Sequence, residues 1–121
     1  MKDATKLITV VETAEFKKQA SQFMSNDNRH EFINFIAANP ESGDLISGTG
    51  GVRKVRWAND PAKGKSGGSR VIYFYHNDEM PLFLFTAYSK SSKENISQSD
   101  KNALKVVVKQ LVDSYRSDDY V

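Results

Sequence analysis

The sequence predicts a single α+β domain in the order strand, helix, helix, three-stranded antiparallel meander and C-terminal helix. Three observations support this prediction: helical periodicity near both ends of the chain, three strand-like segments in the middle, and no repeat or linker that divides the 121 residues. We therefore expect residues 1–121 to form one domain. A chain of this length can bury enough surface to fold without disulfides or metals.

The first half of the chain is predicted to contain one strand and two helices. Leu7–Val11 is a continuous apolar, β-branched run, which is typical of a strand buried on both faces. Thr13 is a candidate N-cap for a helix over Ala14–Met24. The apolar residues of that helix share one face: Phe16, Ala20, Phe23 and Met24. A second helix, over Asp27–Ala38, should end before Pro40, because proline disfavours the helical conformation in the preceding residue.

The second half is predicted to contain three strands and a long helix. The strand candidates are Val52–Ala58, Ser69–His76 and Leu82–Tyr88, and the turn at residues 77–81 should join the last two as a hairpin. Ser97 is predicted to cap the final helix, with Asp100 completing a motif like a capping box. Apolar residues then follow at helical spacing: Leu104, Val107, Val108, Leu111, Val112 and Tyr115.

Composition excludes several classes of protein. The chain has no cysteine, so disulfide frameworks, thiolate nucleophiles and Cys-ligated metals are excluded. Its longest apolar runs are far shorter than a membrane span, and the N-terminus lacks the apolar stretch of a signal peptide. These features predict a soluble cytoplasmic protein.

Positive charge is concentrated in one part of the chain. Residues 52–76 hold six cations and one anion, a net charge of +5, whereas the whole chain carries +2 and the remainder therefore −3. In the first of the three strands, alternation places Lys54 and Arg56 on one face and Val55 and Trp57 on the other. A cationic face of this kind either is simply solvated or binds a polyanion such as RNA. The aromatic residues of this stretch either stack on bases or belong to the core, and we expect most of them in the core: Trp57, Tyr73, Phe74, Tyr75 and His76.

Two familiar catalytic motifs are not supported. Gly64-Lys65-Ser66 resembles the end of a P-loop, but position 59 is asparagine where that motif requires glycine. The two histidines, His30 and His76, lie in different predicted elements, and no carboxylate cluster surrounds either of them. A histidine-pair ribonuclease and a metal site are therefore not predicted.

Several segments together resemble the RelE/HigB superfamily, and most closely its HigB-like branch. These are GTGGVRKVRWA, KGKSGGSRVIYFY and LFLFTAYSKSSKENIS, followed by the amphipathic helix. The resemblance implies a RelE-like fold and the toxin of a bacterial type II toxin–antitoxin pair. It further implies an endoribonuclease that cuts mRNA in the ribosomal A site without a cofactor. The implied partners are the 70S ribosome, mRNA and an antitoxin, which in this superfamily is usually a helix-turn-helix or ribbon-type DNA binder; of these two we expect the helix-turn-helix type.

The resemblance also implies roles for individual residues. The catalytic set would be Lys54, Arg56, Arg70, Tyr88 and Lys90. Contacts to RNA or the ribosome would come from Arg53, Lys63, Lys65 and Lys93. For Arg70 the alternative is a cross-strand salt bridge. For Lys54 and Arg56 it is an exposed, solvated face, and for Tyr88 it is packing under the last helix. For the protein as a whole the alternative is a non-catalytic inhibitor or regulator that binds RNA or the ribosome through the same scaffold.

Overall fold

A computed structural model describes residues 7–58, 68–89 and 96–117 of the chain. They form a five-stranded sheet with helices on both faces, so the predicted α+β class is confirmed. The elements are β1 (Val10–Glu12), α1 (Ala14–Ala20), α2 (Asn26–Ala38), β2 (Asp44–Leu45), β3 (Val52–Trp57), β4 (Ser69–Phe74), β5 (Leu82–Ser89) and α3 (Gln98–Ser117). The sheet order is β1-β5-β4-β3-β2, with β1 parallel to β5 and the other neighbours antiparallel.

A serine or threonine hydroxyl caps the N-terminus of each of the three described helices. The Thr13 hydroxyl accepts from the backbone N–H of Phe16 at 3.1 Å and so caps α1. Ser25 caps α2 in the same way, and the Ser97 hydroxyl accepts from the N–H of Asp100 at 3.0 Å at the start of α3. The caps predicted at Thr13 and Ser97 are therefore confirmed. Each cap satisfies a backbone donor that the first helical turn leaves without a partner.

The first strand differs from its prediction. It covers only Val10–Glu12, and all three residues are half-buried, while Leu7 is 62% exposed. The prediction of a strand buried on both faces is wrong, because β1 lies at the edge of the sheet and pairs only with β5.

Two further elements differ from the sequence prediction. Helix α1 ends at Ala20 rather than Met24, because the N–H groups of Gln22 and Phe23 bond to carbonyls three residues back, at Gln19 and Ala20, and so form a turn. The side chains of Phe23 and Met24 are nevertheless buried in the core. The edge strand β2 was not predicted.

Two apolar clusters hold the sheet between its helices. On the α1/α2 face, helices α1 and α2 pack against side chains of β3, β4 and β5 such as Val55, Val71 and Leu84. On the opposite α3 face, Val108 and Leu104 of α3 pack against Val52, Ile72 and Phe74. No helix in the described part of the chain is long and apolar enough to cross a membrane.

Candidate functional site

Strand register brings an arginine pair and a tyrosine into one row across the α3 face. Arg56 of β3 lies directly opposite Arg70 of β4, and Arg70 lies directly opposite Tyr88 of β5. Side chains in such positions have Cβ atoms roughly 5 Å apart. Lys54 belongs to the neighbouring row, opposite Ile72. Four of the five predicted catalytic residues therefore share one face of the sheet.

Four of the predicted cationic site residues lie outside the part of the chain that the structure describes. Lys90, the fifth residue of the predicted catalytic set, lies outside the described residues. The same is true of three residues predicted to contact RNA or the ribosome: Lys63, Lys65 and Lys93.

A small cavity lies beside the two arginines. It has a volume of about 280 Å³ and is lined by Arg56, Trp57, Ala58, Gly68 and Arg70. Gly68 has a φ of +75°, and a Cβ added there would lie 2.8 Å from the Trp57 carbonyl oxygen. Glycine therefore allows β4 to begin close enough to the end of β3 for the two arginines to face each other.

Like charges face each other in this row without a compensating acid. Within the described residues neither Arg56 nor Arg70 forms an ion pair, and the Arg70 Nη1 donates only to the Ser69 carbonyl at 3.2 Å. Arg56 is exposed and Arg70 is half-buried. Directly opposed like charges destabilise a sheet, and a bound phosphate would relieve their repulsion. The cross-strand salt bridge considered for Arg70 is not formed, because its two opposite neighbours are Arg56 and Tyr88.

Tyr88 stands at the other end of the row with its hydroxyl protonated. Burial raises the pKa of its phenol above the ordinary value of 10, and the nearby Arg70 charge only partly opposes that shift. At neutral pH the Tyr88 hydroxyl therefore keeps its proton and is not a base. Its ring packs against the apolar cluster between the sheet and α3, which is the alternative considered for Tyr88.

Arg53 lies on the opposite face of the sheet from the row. Its Nη1 donates to the carbonyls of Gly43 at 2.7 Å and Glu41 at 3.2 Å, and its side chain is 17% exposed. These bonds tie the loop between α2 and β2 to β3. The predicted contact of Arg53 with RNA or the ribosome is therefore not part of the site that we propose.

Three of the aromatic residues near the cations belong to the core. The Trp57 ring packs edge-on against Phe32 with centroids 5.2 Å apart, on the α1/α2 face. Tyr73 is fully buried on that face, and Phe74 is buried under α3. These three side chains lie in the core, as predicted, and do not offer faces on which RNA bases can stack.

The sequence analysis did not identify one acidic neighbour of the site. Asp44 of β2 lies directly opposite Lys54 and is exposed. A strand of two residues is too short to show a periodic pattern. The turn residues Thr49 to Gly51 were the sequence feature that indicated a hairpin here.

The sequence model of the RelE toxin of the RelE/RelB toxin–antitoxin system matches residues 8–118. The chain belongs to the RelE toxin family. It is thus the toxin of a toxin–antitoxin system, with an antitoxin as its partner. The match is to the RelE family as a whole, so the HigB-like branch stays a prediction.

A solved structure shows the same fold as this RelE-family chain. A mutant of the E. coli toxin RelE in the free state superposes with a TM-score of 0.51 at 13% sequence identity. The superposition covers 73% of this chain and 88% of the E. coli chain.

Proposed function

We propose that this RelE-family toxin is an endoribonuclease that inhibits translation by cleaving mRNA in the ribosomal A site. The observation that carries the proposal is the Arg56–Arg70 pair, which has no carboxylate partner among the described residues and lies beside a cavity at the sheet surface. Two guanidinium groups in this arrangement favour a phosphate of the RNA backbone over a neutral ligand.

The chemistry of RNA cleavage fits these side chains. The 2′-oxygen attacks the adjacent phosphorus, the bond to the 5′-oxygen breaks, and a 2′,3′-cyclic phosphate is left on one fragment. The phosphorane formed on the way carries extra negative charge, which the planar fork of Arg70 and the charge of Arg56 would stabilise. The protonated Tyr88 hydroxyl would donate a further hydrogen bond or its ring would stack on a base.

The two proton transfers fall to lysines in this proposal. The 2′-hydroxyl must lose a proton and the leaving 5′-oxygen must gain one. Lys54 lies in the row next to Arg56, on the same face of the sheet. Lys90, two residues after Tyr88, would stabilise charge or protonate the leaving oxygen.

The ribosome supplies what the site lacks. The described residues contain neither a histidine pair nor a carboxylate pair on the Arg56–Arg70–Tyr88 row, so the acid–base chemistry of the isolated chain is weak. A message held in the A site is already positioned, which lowers the entropic part of the barrier. Contacts to ribosomal RNA would come from Lys63, Lys65 and Lys93. The toxin would act in the cytoplasm. There an antitoxin of the helix-turn-helix class would hold it inactive.

Primer extension on messages from cells that express the chain tests the proposal. We expect new 5′-ends that keep a fixed position relative to the reading frame, and no such ends with an Arg70→Ala control. A chain that stops translation without producing these ends would instead be a non-catalytic inhibitor that binds RNA or the ribosome.

A further inference from the structure

A second cavity lies beside Tyr88, between the sheet and the first turns of two helices. It has a volume of about 340 Å³ and opens to solvent. Sheet residues such as Phe85 and Tyr88 form its floor, Glu15 comes from α1, and Ala103 and Leu104 come from α3. Tyr88 is therefore shared between this cavity and the arginine row, so a ligand could occupy both places at once.

A β-bulge and a helix cap build this cavity. The register of β4 and β5 shifts between Ile72 and Tyr73, so β5 contains one extra residue, Phe85, on the α3 face. The Thr13 hydroxyl lies 2.8 and 3.0 Å from the carbonyl oxygens of Leu84 and Phe85, to which it donates. The bulge thus fixes the start of α1 against β5 and brings Glu15 to the rim. Bulges often re-aim side chains next to functional sites.

The lining of the cavity suits a flat, uncharged ring with polar edges. Phe85, Ile72 and Leu104 provide apolar surface, and the Tyr88 ring adds an aromatic one. The carboxylates of Glu15 and Asp100 also line it, and they would repel a phosphate. The arginine row and this cavity therefore select opposite ends of a nucleotide: phosphate at the arginines and base in the cavity.

We infer that this cavity holds a nucleobase next to the cleaved phosphate, and that the Glu15 carboxylate selects bases with an exocyclic amino group over uracil. The inference rests on the proposed function and adds a subsite to it. Carboxylates accept hydrogen bonds from the amino groups of bases, whereas the O4 of uracil is itself an acceptor. Glu15 already accepts from the Gln19 side chain at 2.9 Å, and a carboxylate has further acceptor positions.

Two substitutions test the subsite. Ala103→Phe adds a ring to an exposed helical position that lines the cavity and should fill it. Val106→Phe is the matched control, because Val106 is 57% exposed on the same helix and does not line the cavity. Glu15→Gln keeps the shape of the side chain but adds an amide donor that can bond to uracil.

Cleavage and binding are measured with RNAs that differ only at the bases that flank the cut. Single-turnover cleavage uses ribosome-bound messages, and binding uses non-cleavable 2′-O-methyl trinucleotides. The wild type should favour cytosine, adenine or guanine over uracil at one flanking position. Glu15→Gln should reduce that preference on the order of tenfold, Ala103→Phe should abolish it, and Val106→Phe should leave it unchanged.

The outcomes separate this inference from the proposed function. If the wild type cleaves but Glu15→Gln and Ala103→Phe keep its base preference, the subsite is contradicted and the proposed function stands. If the wild type cleaves no ribosome-bound message, the proposed function is contradicted. The trinucleotides then decide the subsite by themselves: a base preference that both variants lose supports it, and equal binding of all four bases overturns it.

Discussion

Arg53 and Arg70 are the same residue type on neighbouring strands, yet the pleat of the sheet gives them different roles. Arg53 points to the α1/α2 face and donates to the Gly43 and Glu41 carbonyls. Arg70 points to the α3 face, opposite Arg56 and Tyr88, and its one hydrogen bond within the described residues is to the carbonyl of Ser69. The first arginine completes the fold, and we propose that the second binds the scissile phosphate.

Replacing each arginine by lysine separates these roles. Arg70→Lys keeps the charge but loses the planar fork, so we expect a folded protein with single-turnover cleavage reduced on the order of 10²- to 10³-fold. Arg53→Lys loses hydrogen bonds to two carbonyls, so we expect a loss of about 1–3 kcal/mol in the free energy of unfolding and near-normal cleavage. Thermal unfolding and cleavage on ribosomes measure both effects. Near-normal cleavage by a folded Arg70→Lys protein would remove Arg70 from the site.

Strand alternation allowed much of the site to be predicted from the sequence. It placed Lys54 and Arg56 together and away from Val55 and Trp57, as observed. The same alternation puts Arg53 with Val55, so it separates Arg53 from Lys54 and Arg56 although all three cations are close in sequence. The carbonyls that Arg53 binds could not be predicted, because they lie in an irregular loop whose position depends on tertiary packing.

At the scale of elements, the junction of β3 and β4 controls the site. Gly68 immediately precedes β4, has a positive φ and approaches the backbone of Trp57, so no side chain fits there. The long, periodic elements were predicted well, whereas the two edge strands were not. β1 contains three residues and β2 contains two, which is too few for a sequence pattern. Each is defined instead by its pairing, β1 with β5 and β2 with β3.

Gly68→Ala tests whether this junction sets the geometry of the arginine pair. We expect destabilisation of more than about 1 kcal/mol from backbone strain and a clash with the Trp57 carbonyl, together with reduced cleavage. Gly48→Ala is the matched control, because Gly48 has a φ of +81° but an added Cβ would meet nothing within 4 Å. It should show the strain alone and cleave normally in the folded state. Equal cleavage by the two folded variants would contradict the proposed role of the junction.

At the scale of the whole molecule, charge is unevenly distributed along a nearly neutral chain. Residues 52–76 carry +5 and the rest carries −3. Such a distribution orients the cationic face towards a polyanion and speeds association at low salt. We therefore expect ribosome binding to depend on salt much more than the net charge of +2 alone would indicate.

Neutralising Lys63 and Lys65 together tests the contribution of this segment to binding. Log affinity falls as log salt rises. If each lysine contacts one phosphate, this fall should be less steep by about two units of slope in the double alanine variant. Single-turnover cleavage at saturating protein should fall much less. A Lys17→Ala/Lys18→Ala variant on the exposed side of α1 is the control and should keep the slope. If saturation does not restore cleavage, Lys63 and Lys65 belong to the catalytic group instead.

We propose that this RelE-family toxin cleaves mRNA far faster when the ribosome positions the message than when the message is free in solution. The most direct measurement is the single-turnover rate on one message, free in solution and then held on a ribosome with an empty A site. We expect cleavage within the A-site codon at a rate orders of magnitude above that of the free message. Equal rates on the two substrates, or no cleavage of either, would contradict ribosome-dependent cleavage by this toxin.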